Sequence, residues 1–151
     1  MLLAHDILKM LKEHEEVVAE FYDAVAGCSW FRRRFWESMA ADERRHAELI
    51  ARLVTRVESG DIQVKVKGLA VVDIVESRNF VMNLRDQTRA GLLTRPERIR
   101  HALQIEQDMI DKNAFQVLET NHPELRRVVN EIRSETQAHR QRLERECRRW
   151  F

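Results

Sequence analysis

Four glutamates and two histidines stand where helical periodicity calls for apolar side chains. In ADERRHAEL, Glu43 and His46 are three apart, between the apolar Met39 and Leu49, a spacing that puts both on one helix face. Glu135 and His139, four apart, fall among Val128, Ile132 and Leu143. Glu15 interrupts the series Leu8, Leu11, Val18, Tyr22 and Val25, and Glu106 interrupts Ile99, Leu103, Ile110 and Val117. Burying an ionised carboxylate is costly. Taken singly, each has an ordinary explanation: a helix-edge glutamate paired with an arginine, or a hydrogen-bonded core histidine. Taken together they do not, because acids converging in a core repel one another unless cations neutralise them. Carboxylate oxygen with imidazole nitrogen suits iron or manganese, and with no thiolate in the set a structural zinc or iron–sulfur site is disfavoured. The only cysteines, Cys28 and Cys147, have no CxxC partner, so they specify neither a disulfide framework nor a metal site.

These residues need four helices to position them. The spacing predicts a first helix over Ala4 to Ala26, stopped by Gly27, and a second over Trp30 to Glu58, capped by Ser29 and ending before Gly60. Asp61 to Gly68 lacks helical periodicity, whereas Leu69 to Ala90 reads as a connecting helix ending at Gly91. Thr94 with Glu97, and Asn121 with Glu124, read as capping boxes that open the third and fourth helices of the bundle, with Pro96 and Pro123 in the first turns. Short link, long crossover, short link is the connectivity of a ferritin-like four-helix bundle, all-α, with one long crossover connection containing a short extra helix. The two halves repeat this plan: a helix with one inward glutamate, then a helix with a Glu-and-His pair.

Composition bounds the rest. The 151 residues suit a single domain, and 44% apolar with 34% charged residues, four Gly and two Pro favour amphipathic helices. A formal charge of +1 gives no field to attract nucleic acid or anionic lipid. No signal-like start or membrane-length apolar run occurs, so a soluble, cytoplasmic protein is expected.

At ADERRHAEL, preceded by FRRRFWESM, and at EHEEVVAEFYDAVA, the chain resembles the rubrerythrin family over nearly its whole length. The resemblance implies Glu15, Glu43, His46, Glu106, Glu135 and His139 as ligands of two iron ions, or of manganese or zinc, with Glu43 and Glu135 bridging. It implies a supporting role for Tyr22 near the metals. It further implies reduction of hydrogen peroxide, or use of oxygen, with electrons from an external donor such as a rubredoxin-like protein. Three departures stand out. The fourth helix reads ETQAH rather than Glu-x-x-His, leaving Thr136 at the usual carboxylate position if His139 keeps its place. Met109 replaces a further glutamate often found one turn after Glu106. The paired CxxC motifs of a rubredoxin-like domain are missing.

Other readings stay open. The chain could be a non-catalytic iron-binding or storage protein, or a scaffold whose metal site has decayed. A hemerythrin-like oxygen carrier fits poorly, since it requires HxxxE and HxxxH pairs and His46 is followed four on by Ile50. His14 is a candidate for a supporting place beside the metals. The arginines of the last helix, interleaved with Glu144 and Glu146, read as a solvated face. Surplus apolar residues in the connecting segment (Val71, Val72, Ile74, Val75, Phe80, Val81) point to a homodimer.

Overall fold

The computed structural model describes residues 3–67, 71–112 and 118–150. Among them five α-helices are found: α1 (Ala4–Gly27), α2 (Arg33–Glu58), α3 (Val71–Arg89), α4 (Arg95–Lys112) and α5 (Pro123–Trp150). Two short strands, β1 (Lys65–Val66) and β2 (Leu118–Glu119), pair antiparallel with Lys65 opposite Glu119. The chain is an all-α bundle of two helical hairpins joined by a long crossover, as the periodicity implies. No helix among the described residues is long and apolar enough to cross a membrane.

Side-chain pairs fix the directions of the helices. Lys9 meets Glu58 and Asp23 meets Arg44, so α1 and α2 run antiparallel. Arg32 meets Glu146 and Arg56 meets Glu124, so α2 and α5 also run antiparallel. Arg78 meets Glu13 and Arg85 meets Glu20, which lays α3 parallel to α1. These partly exposed pairs set register more than they stabilise. The crossover helix falls within the stretch Leu69 to Ala90 where it was expected, and its 19 residues make it no shorter than α4 with 18. It buries Ile74, Val81 and Leu84, while Val72 faces outward.

Local chemistry explains the helix ends, not always as expected. Thr94 and Glu97 form the anticipated capping box: the Thr94 amide donates to Oε1 of Glu97 at 3.0 Å, and the Glu97 amide to Oγ1 of Thr94 at 3.3 Å. At the end of α3, Gly91 has φ +72° and the Leu92 amide donates to the Gln87 carbonyl at 2.9 Å, a left-handed cap that glycine tolerates. Gly27, by contrast, stays inside α1, and the break falls at Cys28. Ser29 makes no side-chain cap, and Trp30–Arg32 form a 3-10 turn before α2. Asn121 does not cap α5. His122 does, its Nδ1 accepting the Glu124 amide at 3.2 Å. The expected third helix reached Val117, which lies outside the described residues, as do Gly68 and Leu69; α4 ends at Lys112. Thr120 ties the two connecting segments together by donating to the Gln63 carbonyl at 3.0 Å.

Two apolar clusters make the core. One gathers Val18, Tyr22, Trp36, Met39, Ile99 and Leu143; the other gathers Leu8, Leu11, Ile50, Leu53, Val128 and Ile132. Between them α1 contributes Glu15, α2 contributes Glu43 and His46, and α5 contributes Thr136 and His139, all buried. Replacing fully buried Leu8 by Ala should cost about 2–5 kcal/mol through lost burial and the cavity left behind. Val72→Ala on the outer face of α3 should change stability by less than about 0.5 kcal/mol. Chemical denaturation of the two variants checks the contrast, and equal losses would contradict the placement of α3.

Candidate metal centre

Each inward carboxylate is carried to the middle layer by the apolar residues on either side of it. On α2, Met39 and Ala40 pack into one cluster and Ile50 and Leu53 into the other, so Glu43 and His46 between them have no outward alternative. The result is two overlapping groups of donor atoms. Glu15, Glu43 and His46 form one and Glu43, Glu106 and His139 the other, with the donor atoms of each within 4.8 Å of one another. Glu43 belongs to both. Its Oε2 lies 3.3 Å from Nδ1 of His46 and its Oε1 lies 3.0 Å from Nδ1 of His139. At the flanks, Glu15 Oε2 is 3.8 Å from His46 Nδ1, and Glu106 Oε1 is 3.5 Å from His139 Nδ1. The two imidazoles stack with centroids 6.0 Å apart.

The outer nitrogens are held from the opposite helix. Nε2 of His139, on α5, meets Oδ2 of Asp42, on α2, at 2.9 Å. Nε2 of His46, on α2, meets Glu135, on α5, which Arg45 also grips. A carboxylate on one ring nitrogen fixes the tautomer and leaves the other nitrogen free to bind a metal, so both Nδ1 atoms are the presented donors. Tyr22 is fully buried and donates its hydroxyl to Oε1 of Glu106 at 2.5 Å.

Glu135 is thus brought to the site but stands outside both donor groups, with its side chain 31% exposed. The reason is helical geometry. Asp42, Glu43 and His46 match Glu135, Thr136 and His139 at identical offsets, and one residue turns a helix by ~100°. The position equivalent to Glu43 is therefore Thr136, buried with Oγ1 donating to the Ile132 carbonyl at 2.8 Å. Glu135 does for His46 what Asp42 does for His139. Asp42 and Arg45 were not singled out by the sequence, although the Asp-Glu-x-x-His order set beside Glu-Thr-x-x-His contained the signal. His14 turns to α3 instead, its Nε2 2.8 Å from Oγ of Ser77.

The donor set fits divalent cations. Buried Glu15 Oε2 and Glu106 Oε2 have no hydrogen-bond partner, and an orphaned buried carboxylate oxygen is costly unless something binds it. Without a cation, protons take up part of that task. Burial, then the Glu43 charge, push Glu15 from 4.5 to about 8. Burial alone would depress both histidines, yet Glu15 and Glu43 raise His46 to about 11, and Glu106 and Glu43 raise His139 to about 11. Burial opposes ionisation of Glu43 too, but its hydrogen-bond partners Glu15, His139 and His46 hold it below the ordinary carboxylate value.

Groups with raised values bind protons on folding. Their contribution to stability is full below the unfolded values and is lost as pH rises, through about 8 for Glu15 and about 11 for the histidines. The lowered Glu43 loses its contribution only in acid, below 4.5. Metal-free protein should therefore melt at a lower temperature at about pH 9 than at about pH 6. Metal loading at neutral pH should release about three protons per chain, one from each raised group. Calorimetry in buffers of different ionisation heat reads that number, and a binding heat independent of buffer would contradict it. Set against models of protein families, curated proteins and solved structures, the chain matches none of them.

Proposed function

We propose that the chain is a di-metal carboxylate protein of the ferritin-like, rubrerythrin type, which holds two iron ions and reduces hydrogen peroxide with electrons from an external donor. One observation supports this above the others: the two oxygens of Glu43 are shared between two histidines from different helices. A carboxylate used in this way can span two ions while each imidazole holds one. Glu15 and His46 would complete one ion's ligands, and Glu106 and His139 the other's.

Bound iron would supply two electrons, which with two protons drawn from solvent convert one peroxide to two waters. The chain's own residues do the remaining work. Asp42 and Glu135 orient the histidines, Arg45 fixes Glu135, and Tyr22 holds Glu106 through its hydroxyl. The two apolar clusters keep bulk water from the layer on both sides. The electron donor belonging to this reading is a separate rubredoxin-like protein, and the chain would work as a homodimer.

A second reading, uptake and release of iron without turnover, is favoured by Thr136. It removes one carboxylate from the protein's side of the centre, and fewer ligands hold an ion less tightly. Peroxide consumption by iron-loaded protein with an added reductant separates the two readings: turnover supports the first, and stable iron content with no turnover the second.

Glu43→Ala should abolish binding of both ions, whereas His139→Ala should weaken chiefly one. Glu135→Ala should keep both ligand groups and lose about 10- to 100-fold in affinity, the effect expected of a residue that only orients a ligand. Elemental analysis of the three variants reads the ranking. Unchanged metal content in Glu43→Ala would defeat the bridging assignment. A Glu135→Ala variant as empty as Glu43→Ala would restore Glu135 as a ligand.

A further inference from the structure

We infer that the metal-loaded centre takes one small monocarboxylate from solution, seated in the cavity beside Thr136 and standing in for the carboxylate that α5 lacks. The inference rests on the di-metal reading and deepens it by naming a ligand class.

Matching Asp42-Glu43-x-x-His46 with Glu135-Thr136-x-x-His139 shows where the missing group belongs. α2 places an acid between the two histidines, whereas α5 places a hydroxyl that is already committed to the Ile132 carbonyl. Charge points the same way. With Asp42 and Glu135 offset by Arg142 and Arg45, the three buried carboxylates Glu15, Glu43 and Glu106 oppose two divalent ions and leave one positive charge in the layer. Low dielectric makes an uncompensated charge costly, and one monovalent anion removes the excess.

The structure provides room for that anion. A cavity of about 70 Å³ is lined by Thr136, by Glu15 from among the donor residues, and by the apolar Leu11, Ile74, Met109 and Ile132. At one water per roughly 10–15 Å³ of such volume, about five to seven non-hydrogen atoms fit, the size of a short-chain acid. Glu15 Oε2, buried and without a partner, belongs to a residue of this lining. The rim carries both signs, Asp73 and Asp108 with Lys112 and Arg133, so the pull on an anion comes from the metals rather than from the surface. Apolar walls suit an alkyl tail, which separates a monocarboxylate from phosphate or sulfate.

Cobalt(II)-loaded protein tests this, because its visible spectrum reports ligand changes without turnover. Cobalt content is measured first: a chain that takes up no cobalt pair overturns the di-metal reading and this inference together. With cobalt bound, butyrate should shift the spectrum at one equivalent per chain, and metal-free protein should bind none. Thr136→Glu, which supplies the acid from α5 itself, should keep its cobalt and weaken butyrate binding by about tenfold or more. Met109→Phe narrows the cavity away from the metals. It should leave cobalt content and the formate response unchanged while weakening butyrate by about tenfold, the order of discrimination that a tight apolar pocket achieves. A cobalt-loaded wild type that is indifferent to butyrate would overturn the inference and leave the di-metal reading standing. Butyrate affinity unchanged in Met109→Phe would place the anion elsewhere and overturn it equally.

Discussion

Three acids share one buried layer, and the rest of the molecule is arranged around that fact. Carboxylates gathered so closely repel one another unless they find compensation. The histidines supply some of it, held as cations by the carboxylates around them, and a proton on Glu15 supplies more. A cation pair would replace those protons. The same converging donors that burden the metal-free bundle would stabilise the loaded one, so the layer links folding to metal and to pH. The apolar clusters above and below make this linkage strong by keeping solvent from screening it.

Much of this was legible in the sequence because burial on a helix is periodic. Glu15, Glu43, His46 and Glu106 each interrupt an otherwise apolar stripe, and interruption is a signal that one chain alone can carry. Glu135 was harder. It lies at the margin of the α5 stripe, and its spacing from His139 satisfies the same face rule that a ligand pair would satisfy. Only the cross-helix contact with Nε2 of His46 shows that it meets the neighbouring histidine. Asp42 escaped notice for the complementary reason: a half-exposed acid on a charged helix looks like solvated surface until its partner on α5 is known.

The helix ends divide in the same way. Thr94-x-x-Glu97 and the turn at Gly91 are decided by a few neighbouring residues and were readable. Asn121 and His122 can both accept an amide hydrogen bond, and the choice between them is made by Thr120, which is tied across to Gln63 on the other connection. The pairing of β1 with β2 depends likewise on two segments far apart in the chain. Such decisions are tertiary, and no local pattern records them. The connecting helix was legible over Leu69 to Ala90, but that it runs parallel to α1 as a fifth packed helix is set by cross-chain pairs that no local pattern records.

The two donor groups differ in where their members lie along the chain. Glu15, Glu43 and His46 all belong to the α1–α2 hairpin, joined by a link of a few residues, whereas the second group needs α4 and α5 from beyond the crossover. Closing a short loop loses less chain entropy than closing a long one. As the polypeptide leaves the ribosome, its first hairpin already contains the whole of one donor group before Glu106 and His139 exist. On the proposed reading, one ion could join the nascent hairpin and serve as the template on which the later half assembles, making metal supply during synthesis a determinant of how much protein matures.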